Sequence, residues 1–229
     1  MTTSQTRVDS PVAYSAGDYD RYTARFVQVY DAIAARRVIQ AFEQRPEGDL
    51  LLDVGTGTGQ LLMQLAKMPQ LRRLRMIGLD YFNDMVECAR RNVDGAGLAD
   101  RIRITFGDVH ALAMPDCSVD IVISRSTVHH WKDPALALRE IHRVLVPNGV
   151  AFIHDLRRDA PEDVIAAFND ARKDAGVPRN NMAEKYTVEE IRAFVEQAGL
   201  MRSCSIRAPA HGAGSIGMEL RIKKSRTTS

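Results

Sequence analysis

Leu50-Leu51-Leu52-Asp53-Val54 runs without a break into Gly55-Thr56-Gly57-Thr58-Gly59. A short apolar run bounded by turn residues reads as a strand buried on both faces, the habit of parallel sheets. Parallel strands need long crossovers, so this run commits the chain to helices packed on a sheet. Glycines at a strand end let the backbone turn tightly and approach a ligand closely. A plain strand–helix turn needs one glycine; three at alternate positions point to a ligand-binding turn.

The rest of the chain keeps the alternation. Phe26, Tyr30, Ile33, Ala34, Val38 and Ala41 share one stripe of a helix over 19–42, which Pro46-Glu47-Gly48 ends. Further strands are expected at 74–79, 102–106, 119–124 and 150–155. Helices are expected at 61–67, at 84–93 with Asn83 as N-cap, and from Asp133-Pro134 with Leu138, Ile141 and Leu145 buried. Residues 158–186 are polar and mixed, break the alternation, and are expected to cap the substrate. Thr187 and Glu190 form a capping box ahead of Ile191, Phe194 and Val195. Residues 202–207 and 217–223, with no helix between them, read as an antiparallel pair at one edge. The fold class is therefore α/β: a doubly wound, mostly parallel seven-stranded sheet with an antiparallel C-terminal edge and helices on both faces. Residues 1–46 are expected to form an N-terminal segment and cap helix, and 47–229 one domain.

Composition removes several classes of function. With 229 residues, 45% apolar and 26% charged, the chain is an ordinary globular domain that needs no disulfide or metal staple. Cys88, Cys117 and Cys204 are odd in number and far apart, as expected of reduced thiols in a cytoplasmic protein. The first residues lack the apolar region of a signal peptide, and no window is apolar enough to span a bilayer. A formal net charge of +2 argues against a dedicated nucleic-acid binder. Residues 200–229 do carry six basic side chains against the single acid Glu219, a pattern that also suits a solvated strand edge.

The glycine spacing narrows the ligand. A dinucleotide fingerprint is G-x-G-x-x-G, whereas here the pattern is G-x-G-x-G and Gln60 fills the last place. That disfavours NAD and the oxidoreductase reading. Asp80, at the end of the second strand, can accept both hydroxyls of a ribose. Asp108, at the end of the third, can accept an exocyclic amine of adenine. Tyr81, Phe82 and Val109 can wall a base, although packing alone also accounts for them.

These residues together resemble the class I S-adenosylmethionine-dependent methyltransferases. The ordered motifs are 53–59, Asp80, Gly107-Asp108-Val109, 112–115 with 119–122, and 138–149. The resemblance covers about residues 48–156 and is nearest to the small-molecule branch that includes ubiquinone and menaquinone methyltransferases. It implies a Rossmann-like sheet and S-adenosyl-L-methionine as cofactor. It also implies that Gly55 and Gly57 lie under the methionine part, that Asp80 holds the ribose, and that Asp108 and Val109 meet the adenine, with Asp53, Thr56 and Tyr81 also among the cofactor-binding residues. Ser124 falls where a strand carbonyl holds the cofactor's ammonium, and Tyr14, Tyr19 and Tyr22 can close over the site. Asn148 stands where that branch has glycine, and asparagine too tolerates left-handed geometry.

Absences narrow the chemistry further. Ser124-Arg125-Ser126-Thr127 replaces the [DNS]-P-P-[YFW] motif of amino methyltransferases on nucleobases and the Pro-Cys of cytosine C5 enzymes. Asp155-Leu156 replaces the Asp-Asn pair that holds magnesium in catechol enzymes, so no metal is expected. His129 and His130 follow the fourth strand, where open sheets bind ligands, and either can serve as a general base or as a pocket wall. His154 and Asp155 are a second candidate set, and Arg157 and Arg158 can meet a substrate carboxylate or simply be solvated. The expected function is methyl transfer to an O, N or C nucleophile of a small molecule. A cofactor-binding protein with other chemistry and an RNA methyltransferase are the alternatives, and oligomeric state stays open.

Overall fold

The computed structural model describes residues 28–226 except 46, 175, 177 and 213, and the side chains of 28–30 are not described. The expected tyrosine lid (Tyr14, Tyr19, Tyr22), the start of the first helix and its Phe26 and Tyr30 contacts lie outside the described residues.

The elements are α1 (Gln28–Glu43), β1 (Leu50–Val54), α2 (Gln60–Ala66), β2 (Arg75–Asp80), α3 (Asn83–Gly95), β3 (Ile102–Phe106), β4 (Val119–Arg125), α4 (Pro134–Val144), β5 (Leu145–Leu156), α5 (Glu162–Asp174), α6 (Val188–Gln197), β6 (Cys204–Arg207) and β7 (Gly217–Lys223). One seven-stranded sheet has the order β3-β2-β1-β4-β5-β7-β6. Strands β1–β5 are parallel, β7 runs antiparallel to β5, and β6 antiparallel to β7. β1 lies between β2 and β4, so successive crossovers leave it in opposite directions. A crevice opens there beyond the carboxyl ends of the strands, where such sheets bind ligands.

Alternation along the strands divides the core in two. Leu52, Val54, Val122, Ala151 and Ile153 pack with α4 and α6 on one face. Leu51, Ile121, Ile123 and Phe152 pack with α1, α2 and α3 on the other. Each face hides its apolar side chains almost completely; Leu51, Leu52, Leu138 and Ile141 are all at 0% exposure. Burial on this scale, at about 25 cal/mol per Å² of apolar surface, is the main force holding the sheet between its helices.

Local chemistry sets the helix ends. The Asp133 carboxylate accepts the Leu136 N–H at 2.9 Å and Pro134 opens α4, as N-cap and first-turn chemistry require. Thr187 and Glu190 close the expected capping box on α6. Asn148 takes φ 63° in the turn of β5, the left-handed geometry its sequence position calls for. Two expectations need correction. Phe82, not Asn83, is the N-cap of α3, and no side chain caps it. Leu145 ends α4 in extended geometry and starts β5 instead of extending the helix face. Residues 158–186 contain a thirteen-residue helix, α5, where the sequence shows only weak helical spacing around 164–168. α5 packs through Val164, Ile165 and Phe168 on a small separate cluster with Leu156, Ala160 and Ile216, so burial against the end of β5 and the residue that leads into β7, more than its own periodicity, holds it.

Among the described residues no helix is long and apolar enough to cross a membrane, and no three His, Cys, Asp or Glu side chains gather to hold an ion.

Candidate active site

A cavity of about 300 Å³ opens at the carboxyl ends of β1, β2, β3 and β4. Gly55, Gly57, Asp80, Tyr81, Asp108, Val109 and His130 stand on its wall, together with Leu79, Phe82, Met85 and Trp131. Its lining is mostly apolar, with carboxylates at two strand ends.

The glycine turn is held from behind. Gly55 has φ 72°, and a Cβ there would stand 2.3 Å from the Thr127 Cγ2. The turn therefore needs glycine both for its dihedral and for the loop after β4 that presses on it. Gly57 donates its N–H to Asp80 Oδ2 at 2.7 Å, and Phe82 donates to Asp80 Oδ1 at 3.0 Å. These bonds tie the turn after β1 to the end of β2. Burial pushes the Asp80 carboxyl above its ordinary value, against the pull of the Phe82, Gly57 and Tyr81 amides. Each oxygen keeps a lone pair, so the carboxylate can still accept hydroxyls from the cavity side.

Asp108 is held differently. Its Oδ1 accepts the His110 N–H at 2.9 Å and lies 2.5 Å from His110 Nδ1. His110 Nε2 in turn accepts the Asp133 N–H at 3.1 Å. An accepting Nε2 puts the ring proton on Nδ1, aimed at Asp108, so His110 orients that carboxylate. Sequence reasoning missed His110; its only signal was its place two residues after a strand-end aspartate.

Three of the expected cofactor residues stand behind the wall. Asp53 is 2% exposed and accepts the Thr56 hydroxyl at 2.8 Å, in a crevice shared with Thr58 and Arg125. Burial raises the Asp53 carboxyl to about 7, with the Thr56 hydrogen bond and Arg125 opposing the rise. Ser124 is 1% exposed, and its hydroxyl donates to the Val54 carbonyl at 2.8 Å. The cavity wall after β4 is instead made by Ser126 and Thr127. Ser126 takes φ 57°, unusual for a side-chain-bearing residue, and its N–H donates to the His154 carbonyl at 2.7 Å. That bend swings the following residues out of the sheet and over the cavity.

The two histidines occupy one 3-10 turn, Val128–His130, and their ring centres are 3.8 Å apart. They face different surroundings. The His129 side chain is 4% exposed, and its Nδ1 lies 2.8 Å from Asp155 Oδ2. Asp155 also accepts the backbone N–H groups of His129 at 3.2 Å and of Leu156 at 2.8 Å. His130 is exposed and opens onto the cavity. Desolvation, then the neighbouring His129 and Lys185, hold the His130 ring below its ordinary pKa, and Asp155 opposes them. Solvent reaching the ring through the cavity screens part of that effect. The result is an unprotonated imidazole on the cavity wall with a buried His–Asp pair behind it.

β5 separates the other candidates. Successive residues of a strand point to opposite faces. Asp155 joins His129, while His154 turns to the far face, where its Nε2 lies 2.8 Å from Glu219, which also takes a two-point bond from Arg37. Neither Arg157 nor Arg158 lines the cavity, and of the two only Arg158 is solvated. Arg157 is buried and donates to the carbonyls of Asp159 and Pro209; Arg158 binds the Lys185 carbonyl and Glu190.

The cavity fits S-adenosylmethionine. Its flat apolar walls suit an adenine, the Asp80 carboxylate suits a ribose, and the backbone of the glycine turn leaves room for a chain without phosphate. Comparison with known proteins agrees. Residues 52–153 match the methyltransferase domain family. A ubiquinone/menaquinone biosynthesis C-methyltransferase of Caulobacter sp. is 29% identical over 191 residues, 77% of this chain and 73% of that protein. A 37.1 kDa protein carried on a transposon of Streptomyces fradiae is 38% identical over 112 residues, but this chain spans only 31% of it. Among solved structures, a Methanococcus maripaludis protein assigned to the S-adenosyl-L-methionine-dependent methyltransferases superposes with a TM-score of 0.70 at 26% identity, over 93% of each chain. The glycine turn, the two strand-end carboxylates, the sheet order and these relatives agree: residues 52–153 are a methyltransferase domain, and the chain is similar to the class I S-adenosylmethionine-dependent methyltransferases of the ubiquinone/menaquinone type.

Proposed function

We propose that the chain moves the methyl group of S-adenosylmethionine to a nucleophile of a small molecule, with carbon favoured over oxygen and nitrogen. The observation that carries this reading is His130, an exposed imidazole on the wall of the cofactor-sized cavity, backed by the buried His129–Asp155 pair. Bound S-adenosylmethionine would supply an activated methyl group, and alignment of the acceptor does most of the rest. Gly55 and Gly57 would lie under its methionine part, Asp80 would take its ribose hydroxyls, and Asp108, steadied by His110, would take its adenine amine. Carbon acceptors need a proton removed, and a neutral His130 can take it on a ring nitrogen. His129 and Asp155 would hold that ring's neighbour in place. The C-methyltransferase relative supports carbon. The near-neutral net charge supports a small metabolite of the cytoplasm in preference to RNA.

Residues 158–186 serve as the cap of the acceptor side on this reading. Amide exchange over 162–174 should slow when S-adenosylhomocysteine is added, and equal exchange in both states would count against the cap.

Methyl-labelled S-adenosylmethionine, incubated with the protein and with separated small-molecule and RNA fractions of a bacterial extract, tests the function. Label should enter the small-molecule fraction. Label confined to RNA, or no transfer by a protein that binds the cofactor, would overturn the reading.

A further inference from the structure

Of the six basic side chains in residues 200–229, Arg207, Arg221, Lys223 and Arg226 gather along one groove. Protection of a sheet edge does not account for Arg221 and Lys223, because β7 pairs with β5 on one side and with β6 on the other. The apolar residues of β7, Met218, Leu220 and Ile222, join the core on the α6 face. Alternation turns Glu219, Arg221 and Lys223 to the opposite face, where α1 packs on β4 and β5. Register sets Arg207 of β6 beside Glu219, and Phe152 and Val150 of β5 beside Arg221 and Lys223.

Two cavities, of about 420 and 320 Å³, lie between that face and α1 and share Arg37 and Gln40. They form one groove, and none of its lining residues lines the cavity at the ends of β1–β4. Arg221, Lys223 and Arg226 stand in the larger half, Arg36 and Arg207 in the smaller. The other two arginines of the groove are neutralised. Arg37 binds Glu219 through two nitrogens at 2.8 Å, and Arg45 reaches Asp120 at 3.1 Å and Glu47 at 3.9 Å. Among the described residues no carboxylate stands at ion-pair distance from Arg36, Arg207, Arg221, Lys223 or Arg226. Five like charges thus share one groove of a chain whose formal net charge is only +2, and they repel one another until an anion enters.

The lining says which anion. Among the described residues the large apolar side chains that stand exposed are Tyr81, Phe106 and Met201, and none of them lines the groove; Phe152, on its floor, is 4% exposed. A protein partner needs an apolar centre to its interface, and a nucleic-acid strand needs aromatic faces for its bases. A bilayer surface is too broad to enter a groove. What the groove does offer is arginine forks, which match phosphate oxygens two at a time, around a volume that fits a small molecule. A single carboxylate would leave most of the cations unpaired.

We propose that the groove between α1 and β7 is a second ligand site, and that it takes a small molecule carrying two or more linked phosphates, held by Arg221, Lys223 and Arg226. The site is separate from the methyl-transfer cavity and does not depend on that reading.

Calorimetry with tripolyphosphate tests it, with inorganic phosphate, a short single-stranded RNA and vesicles containing phosphatidylserine alongside. Tripolyphosphate should bind at least about tenfold tighter than inorganic phosphate. Arg221→Gln combined with Lys223→Gln should weaken tripolyphosphate by at least about tenfold, since two charge-assisted contacts are lost. Arg226→Gln, beyond the end of β7, should lose part of the same affinity. All three side chains are exposed, so both variants should melt with the wild type in the absence of phosphates and keep its affinity for S-adenosylhomocysteine. Equal affinity for the two phosphates, or tripolyphosphate binding undiminished in both variants, would overturn the proposal. Tighter binding of the RNA or of the vesicles than of tripolyphosphate would overturn it in favour of a strand or a membrane surface.

Discussion

His129 and Asp155 are 26 residues apart in sequence, yet His129 Nδ1 lies 2.8 Å from Asp155 Oδ2, with both side chains under 5% exposed. The pair joins the turn after β4 to the end of β5. It also gives adjacent histidines unequal surroundings, because the His129 ring is locked against a buried carboxylate while His130 opens onto the cavity.

The first prediction follows from that inequality. His130→Ala should lower turnover by about 10²–10⁴-fold, the usual worth of a general base, while S-adenosylhomocysteine affinity stays within about twofold. His129→Ala and Asp155→Asn should cost less in turnover and more in thermal stability, because each leaves a buried partner unsatisfied. Turnover assays and melting curves on the three variants check the ordering; a larger kinetic loss in His129→Ala would reverse the assignment.

The acid limb of the rate profile is the second. The His130 pKa lies below its ordinary value, so the ring stays unprotonated and competent as pH falls through 6.5. Turnover should therefore hold from pH 7 to pH 6 and decline only on further acidification. A kcat profile with an acid midpoint at 6.5 or higher would show that His130 is not the base.

Asp53 yields a stability prediction of opposite sign to the usual carboxylate. Burial raises its carboxyl from 3.8 to about 7 in the folded chain. The folded state then holds a proton that the unfolded state has lost, so this stabilisation is present below pH 4 and disappears as pH rises toward 7. Asp53→Asn keeps an acceptor for the Thr56 hydroxyl without the ionisation. Relative to wild type, the variant should gain stability between pH 4 and pH 7, by at most about 1.4 kcal/mol per pH unit. Urea unfolding at several pH values measures it, and a constant difference would refute the shift.

Asp80→Ala should weaken S-adenosylhomocysteine binding by about 1.5–3 kcal/mol, the range for hydrogen bonds to a charged group. It should also lower the melting temperature, because the Gly57 and Phe82 amides lose their acceptor. Asp108→Ala should cost less affinity, since that side chain is 44% exposed and would meet a single neutral amine. Calorimetry on both variants decides the order.

Gly55→Ala should destabilise the fold by about 1–2 kcal/mol for the left-handed dihedral alone, and by more while Thr127 blocks the methyl group. Adding Thr127→Ala should recover only the second part. Full recovery in the double variant, read by thermal melting, would mean that the dihedral carries no strain.

Much of this was legible in the sequence because it is local. The glycine turn, the carboxylates at the ends of β2 and β3, the Asp133 N-cap and the Thr187–Glu190 capping box each depend on residues within a few positions of one another. Strand–helix alternation likewise announced the layered sheet. Long-range placement was not legible. The run from Ser124 to Trp131 shows two histidines but not which one faces the cavity, because the Ser126 bend depends on the His154 carbonyl of a neighbouring strand. His154 and Asp155 must point to opposite faces, but only the packed sheet says which face carries the site.

By itself, then, the sequence determined the fold class, the cofactor class and the strand ends that line the cavity, since periodicity, capping and glycine dihedrals act over short stretches. The tertiary structure decided that Asp53, Thr56 and Ser124 stand behind the cavity wall, and that His129 is locked and His130 open. Those outcomes turn on which distant surfaces exclude water from a given side chain, and burial is a property of the packed chain rather than of any segment of it.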